Sequence, residues 1–195
     1  MDRKTRLRHR LASCCLHYPD DLIPQVPLLR RCLAEVSAPG VEAVLDYVDG
    51  ISPVAAARHY VEVFDTKANR CLHLTWYSDG DTRNRGGSLA AIKAEYRQRG
   101  YALAPDELPD YLPVLLEFAA LTGSQRLLTR FRPSVAMLHR NLVALGTPYA
   151  AVVADVLRDV PERDDATPVP RAAPVERVGL EPVLLGYPTF AESHR

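Results

Sequence analysis

Apolar residues recur along most of this chain at intervals of three and four, the period of helices that bury one face. Residues 5–17 put Leu7, Leu11, Cys14 and Cys15 on one side, with Thr5 a candidate N-cap and Pro19 the stop. A second face follows in Leu22, Val26, Leu29, Cys32, Leu33 and Val36, closed by Pro39-Gly40, and Val41 to Val48 read as a short helix ended by Gly50. Ser52-Pro53 pairs a capping hydroxyl with proline at a first helical position. The helix it starts runs to about Phe64, with Val54, Ala57, Val61 and Phe64 expected inward and Tyr60 near them. In Cys71 to Tyr77 the alternation of Leu72, Leu74 and Trp76 suits a strand. No second strand pattern exists to pair with it, and an unpaired strand strands its backbone groups, so a helix is expected. Asp81 or Thr82 caps a helix carrying Leu89, Ile92 and Tyr96, ended by Gly100. Ser124 opens a helix to about Leu145 that Pro133 should kink, and Thr147-Pro148 opens the last, to about Val160.

The most apolar segment of helical length is Asp106–Leu121, yet Glu107, Asp110 and Glu117 interrupt it. On one helix their spacing makes a single acidic stripe. Asp106 is the expected N-cap. Pro113 either bends this helix or forces it to begin near Asp110 after an extended lead-in. The pattern predicts an all-α fold: one domain over residues 1–160 with seven to nine helices. Residues 161–195 hold six of the sixteen prolines and are expected to form a disordered tail, interrupted by one apolar patch from Leu180 to Phe190.

Composition narrows the function classes. The chain has 195 residues, and its 24 Lys plus Arg balance its 24 Asp plus Glu, which argues against a general nucleic-acid or membrane-surface binder. Charge is uneven, however: Arg3, Lys4, Arg6, Arg8 and Arg10 crowd the start. The four cysteines, Cys14, Cys15, Cys32 and Cys71, form no CxxC pair and read as free thiols in a reducing compartment. No apolar run reaches the ~20 residues of a membrane span, and no export signal is evident. A cytoplasmic protein is the expectation.

No phosphate-binding glycine loop, nucleophile elbow or HExxH motif occurs. Cys71 with His73, and Cys14 and Cys15 with His17, are loose groups without zinc spacing, so core thiols and imidazoles are the plainer reading. A carboxylate acid/base enzyme would draw on Asp81, Glu107 or Asp110 with His73. A scaffold or nucleic-acid adaptor would use Arg83 and Arg85. What stands out more is an acidic stripe on an apolar helix, a surface suited to a basic amphipathic peptide.

The string HYVEVFDTKANRCLHLTWYSDGDTRNRG, His59 to Gly86, followed by ELPDYLPVLLEFA, Glu107 to Ala119, closely resembles the delta-subunit or NarJ-type chaperones of respiratory nitrate reductase. That resemblance implies a TorD-like all-helical fold. It implies a cytoplasmic chaperone, without a cofactor of its own, that is neither an enzyme nor a nucleic-acid binder. Its partner would be the apo catalytic (alpha) subunit of nitrate reductase, including the N-terminal peptide, held for insertion of molybdenum cofactor and iron–sulfur clusters before membrane attachment. The chaperone would be a monomer or weak homodimer. In the wider group a Pro-Asp-His motif contributes to peptide binding; Pro109 and Asp110 match it, and Tyr111 stands where histidine is usual. The expected peptide site has Tyr60, Phe64, Trp76 and Tyr77 as apolar wall, Leu115 and Phe118 as floor, and Glu107, Asp110 and Glu117 as carboxylates for Arg or Lys. The motif loop is Gly80, Asp81, Thr82, Arg83, Arg85 and Gly86.

Overall fold

The computed structural model describes residues 1–104 and 107–162. Its helices are α1 (Arg3–Cys15), α2 (Pro19–Leu22), α3 (Val26–Leu33), α4 (Pro39–Asp49), α5 (Pro53–Phe64), α6 (Thr75–Asp79), α7 (Arg83–Gln98), α8 (Leu112–Thr122), α9 (Arg126–Leu145) and α10 (Tyr149–Asp159). Eight of these run eight residues or longer. Among the described residues the β pairing is limited to one antiparallel bridge between His73 and Tyr111. The all-α class expected from the apolar period is the one adopted. The expected N-cap Asp106, the tail from residue 163 and its Leu180–Phe190 patch lie outside the described residues.

The core forms around α1, which packs against α8 on one side and α10 on the other, while α10 also carries α4 and α9. Leu11, Cys15 and Leu16 are buried with Leu112, Leu115 and Leu116 of α8 and with Val152, Val153 and Val156 of α10. The basic start of the chain does not form a free patch. Arg6 donates to the Ala120 and Leu121 carbonyls at 2.6 and 2.9 Å, meeting acceptors that the end of α8 leaves unpaired. Arg8 reaches both oxygens of Asp159 at 2.5 and 2.8 Å, and Arg10 pairs with Glu117. All four cysteines are free thiols, with Cys14 and Cys15 buried.

Several local expectations are corrected. Helix α1 starts before Thr5, and Asp2 is its cap, accepting from the Thr5 N–H at 2.7 Å. In α5 the inward face is Ala56, Tyr60, Val63 and Phe64, while Val54 and Val61 are 71% and 40% exposed. The face is fixed by aromatic packing of Tyr60 and Phe64 on Tyr149 of α10, with ring centroids 6.0 and 4.9 Å away. Helix α9 is capped at Gln125, not Ser124, and runs as one element through Pro133.

The contact between α4 and α10 is tight because Gly40 has no side chain. A Cβ there would stand 2.0 Å from the Ala151 carbonyl oxygen. Ala38, at the N-cap of α4, has no side-chain acceptor for the first-turn amides. Asp155 of α10 supplies it instead, accepting from Gly40 N at 2.7 Å and Val41 N at 3.3 Å. Gly40→Ala must therefore push two helices apart. We expect it to cost about 3 kcal/mol or more, at the upper end of overpacking, read as a lowered urea midpoint. An unchanged midpoint would mean that this helix pair is looser than described.

Candidate functional site

The segment before α8 is extended. Leu74 N donates to the Asp110 carbonyl at 3.0 Å and Leu112 N to the Leu72 carbonyl at 2.9 Å, so residues 72–74 and 110–112 lie antiparallel. Tyr96 of α7 donates its hydroxyl to the Pro109 carbonyl at 2.8 Å, holding the same segment from the other side. Cys71–Tyr77 thus divides. Its first half is the extended partner of 110–112, and the helix expected there begins only at Thr75. Pro113 occupies the first turn of α8, where a missing N–H costs nothing. The continuous acidic stripe is corrected in consequence: Glu107 and Asp110 precede the helix, and only Glu117 lies on it.

Asp110 is fully buried, at 0% exposure. Its carboxylate accepts from the Thr75 N–H at 3.2 Å and the Thr75 hydroxyl at 2.5 Å, and its second oxygen lies 3.2 Å from His73 Nδ1. Arg85 donates Nε to the Thr75 hydroxyl at 3.1 Å, with Nη2 3.7 Å from the carboxylate. Burial by itself would raise the Asp110 pKa. The hydrogen bonds from His73 and Thr75 and the charges of His73 and Arg85 outweigh it and hold the carboxyl below its ordinary value. An acid this low is a carboxylate at neutral pH, an acceptor only, so His73 Nδ1 carries the proton in the bond between them.

The loop motif serves this cluster. Gly80 has φ 60 and ψ −153, a conformation open essentially to glycine, and it turns the chain from α6 into α7. Thr82 precedes α7 and donates its hydroxyl to the Asp79 carbonyl at 2.8 Å. Asp81, Thr82, Arg83 and Gly86 are exposed, while Arg85 turns inward and also lies over the Trp76 ring, 5.8 Å from its centroid.

Above this cluster opens a cleft of about 390 Å³. Its walls are Tyr18, Tyr60, Phe64, Leu72, Leu108 and Tyr111, and its polar groups are Asp65, Cys71, His73 and Glu107. Tyr60 donates its hydroxyl to the Leu16 carbonyl at 2.9 Å. Its only proton is then used, so in the 3.1 Å contact between the two phenols Tyr111 is the donor. Burial raises both phenol pKa values, keeping them neutral. Tyr111 also packs on His73, with ring centroids 5.3 Å apart. The exposed Asp65 and partly exposed Glu107 leave the cleft with carboxylate acceptors beside aromatic faces.

The expected site residues therefore separate. Tyr60, Phe64, Glu107 and Tyr111 share the cleft, and Pro109 and Asp110 lie buried beneath it. Leu115 is core. So is Tyr77, whose hydroxyl donates to Cys71 O at 2.9 Å. Trp76 does not line the cleft. Glu117 and Phe118 line a different, smaller groove of about 170 Å³. Sequence reasoning missed Tyr18, Asp65, Cys71, Leu72, His73 and Leu108 as cleft residues. Asp65 had a signal, standing inside the motif after Phe64; Tyr18 had none. Of the acid/base set, Glu107 and His73 line the cleft and Asp110 lies beneath it, bonded to His73, while Asp81 is exposed on the loop away from it. Among the described residues no cluster of three or more His, Cys, Asp or Glu is placed to hold a metal. No described helix is long and apolar enough to cross a membrane.

Comparison with known proteins agrees with this architecture. Residues 35–144 match the family model described as nitrate reductase delta subunit. The chain is 37% identical to the nitrate reductase-like protein NarX of Mycobacterium tuberculosis over 75% of its own length, and spans 23% of that longer protein. It is 35% identical to a Bacillus subtilis protein named probable nitrate reductase molybdenum cofactor assembly chaperone NarJ, covering 72% of this chain and 81% of that one. For the Escherichia coli K12 nitrate reductase molybdenum cofactor assembly chaperone NarJ the identity is 31%, over 73% and 64%. A crystal structure of a candidate redox enzyme maturation protein from Archaeoglobus fulgidus superposes with a TM-score of 0.61 at 18% identity, covering 78% of this chain and 91% of that one, and so shares the fold. The chain belongs to the nitrate reductase delta subunit family.

Asp110→Asn puts an amide N–H₂ against donors that now meet a carboxylate. The expected cost is about 3 kcal/mol at pH 7, the range for breaking a buried charged hydrogen-bond set. Because the folded pKa lies below the ordinary 3.8, the carboxylate's contribution is complete above that value and fades as pH falls through the folded pKa. The gap between wild type and variant in urea unfolding should shrink below pH 3.8. A gap that is constant from pH 7 to pH 3 would contradict this assignment.

Proposed function

We propose that this nitrate reductase delta subunit family member is a cytoplasmic assembly chaperone. It binds the apo catalytic subunit of a nitrate reductase, including its N-terminal peptide, and holds it for insertion of molybdenum cofactor and iron–sulfur clusters before membrane attachment. The names of the two NarJ relatives support the assembly role. The single observation that carries the binding mode is the open cleft of about 390 Å³ with aromatic walls and the Asp65 and Glu107 carboxylates.

Such a cleft has a definite chemical preference. Guanidinium or ammonium groups gain charge-assisted hydrogen bonds from the carboxylates and cation–π contact from Tyr18 and Tyr111. Apolar side chains of the same segment lie on Phe64, Leu72 and Leu108. A peptide alternating basic and apolar residues satisfies both demands, and an acidic one satisfies neither. The protein acts by binding rather than by catalysis and needs no cofactor of its own.

The burial of Asp110 changes the discriminating experiment. Asp110→Lys would place a second cation beside Arg85 in the core and report on folding, not on recognition. The informative variant is the double change Asp65→Lys with Glu107→Lys at the cleft. Titration calorimetry with the N-terminal peptide of the catalytic subunit should show affinity at least about tenfold weaker, some 1.4 kcal/mol or more. The melting temperature should move little, since neither carboxylate is buried. Equal affinity in wild type and variant would rule out the acidic cleft as the peptide site.

A further inference from the structure

A second surface lies on the other side of α8. Tyr101, Leu103, Val114, Phe118 and Leu121 form an apolar groove of about 170 Å³ between the end of α7, the chain after it and α8. Tyr101 and Leu121 are 37% and 50% exposed, so this apolar face is open among the described residues. Lys93 and Arg97 line the adjoining hollow around Tyr101 and give this edge a positive rim. Glu117, also on the groove wall, is already paired with Arg10. The charge is opposite to that of the cleft with Asp65 and Glu107.

The described chain ends near Gln125, just past the end of α8. Gln125 donates to the Asp159 carbonyl at 2.7 Å, and Arg132 donates to the Val160 carbonyl at 3.0 Å and pairs with Glu162 at 3.1 Å. The end of α10 is thus fastened close to Gln125, four residues beyond Leu121. Beyond Glu162 the sequence carries one apolar island, Leu180, Val183, Leu184, Leu185, Tyr187 and Phe190, with Glu181 inside it, Glu176 and Arg177 before it, and Glu192 and Arg195 after it. Residues 163–179 can extend up to about 60 Å, more than the width of a domain this size, so reach is not limiting.

We propose that the Leu180–Glu192 segment of this chain docks in the groove at Tyr101, Phe118 and Leu121. Its leucines and aromatics cover the apolar floor, and Glu181 and Glu192 meet Lys93 and Arg97. Docked there, the tail shields one apolar face and leaves the cleft open to a partner.

The test uses the full chain with the photo-cross-linking residue p-benzoylphenylalanine in place of Tyr187. Irradiation should attach the tail to peptides within residues 96–103 or 114–121, with a yield independent of protein concentration. Lys93→Glu with Arg97→Glu, or Leu121→Asp, should lower that yield at least fivefold without shifting the melting temperature, since Lys93, Arg97 and Leu121 are all exposed. Asp65→Lys with Glu107→Lys should leave it unchanged. Cross-links in the cleft peptides, cross-links between copies that grow with concentration, or none above the unirradiated background would each overturn the proposal.

Discussion

Moving a carboxylate from water into a protein interior costs several kcal/mol unless hydrogen bonds replace its hydration. Asp110 satisfies that demand with the Thr75 amide, the Thr75 hydroxyl and His73 Nδ1, and the arrangement of the site follows. Thr75 must begin α6 for its amide to be free, so the chain before it is extended and pairs with 110–112. Arg85 must lie one loop later on α7, close enough to donate to Thr75, and Gly80 makes the turn that brings it there. The cleft is the outer surface of this arrangement: His73 and Tyr111 are the neighbours of Thr75 and Asp110 that face outward into it. A buried charge pair is weak evidence of net stability, but it strongly disfavours any register in which its donors are missing.

The same device appears at the other end of the molecule. Helix α4 begins with Ala38 and Pro39, which provide no capping side chain, and Asp155 of α10 accepts its first-turn amides. Helix α6 begins after Leu74, which provides none either, and Asp110 supplies the acceptor. In both cases a remote carboxylate completes a helix start, so formation of the helix and its docking are one event. Local signals then matter less than tertiary ones at these ends, and each helix is as stable as the contact that caps it.

This explains which features were legible in the sequence. Helix period, the Ser52-Pro53 start and the glycine stops act within a few residues, and they appear where local chemistry places them. The motif residues Gly80, Arg85 and Asp110 stood out as a resemblance, yet the hydrogen bonds that bury Asp110 join positions up to 37 apart. The basic start of the chain read as a patch because its partners, the end of α8, Glu117 and Asp159, lie more than a hundred residues away. In α5 valines and alanines lie on both faces, so period alone could not choose between them; Tyr149 does. Pro109 and Pro113 were the sharpest local clue to the site: they left a bend or a late start as the choices for this helix, and it starts late, at Leu112.

Tyr111 shows how chemistry at one position is carried by a neighbour. A histidine there would offer an imidazole next to Asp110. In this chain the imidazole that meets Asp110 belongs to His73, which reaches it across the antiparallel pairing and packs its ring on Tyr111. The cleft therefore keeps an imidazole beside a carboxylate while gaining a phenol that donates to Tyr60. The two rings make one surface, and the Tyr111–Tyr60–Leu16 chain of hydrogen bonds ties that surface to the end of α1. A ligand that presses on Tyr111 thus acts on a group held through α5 to α1, the helix on which both α8 and α10 pack. The hydrogen-bond chain fixes the cleft wall relative to the core helices, because displacing any of its members leaves a buried hydroxyl or carbonyl unpaired.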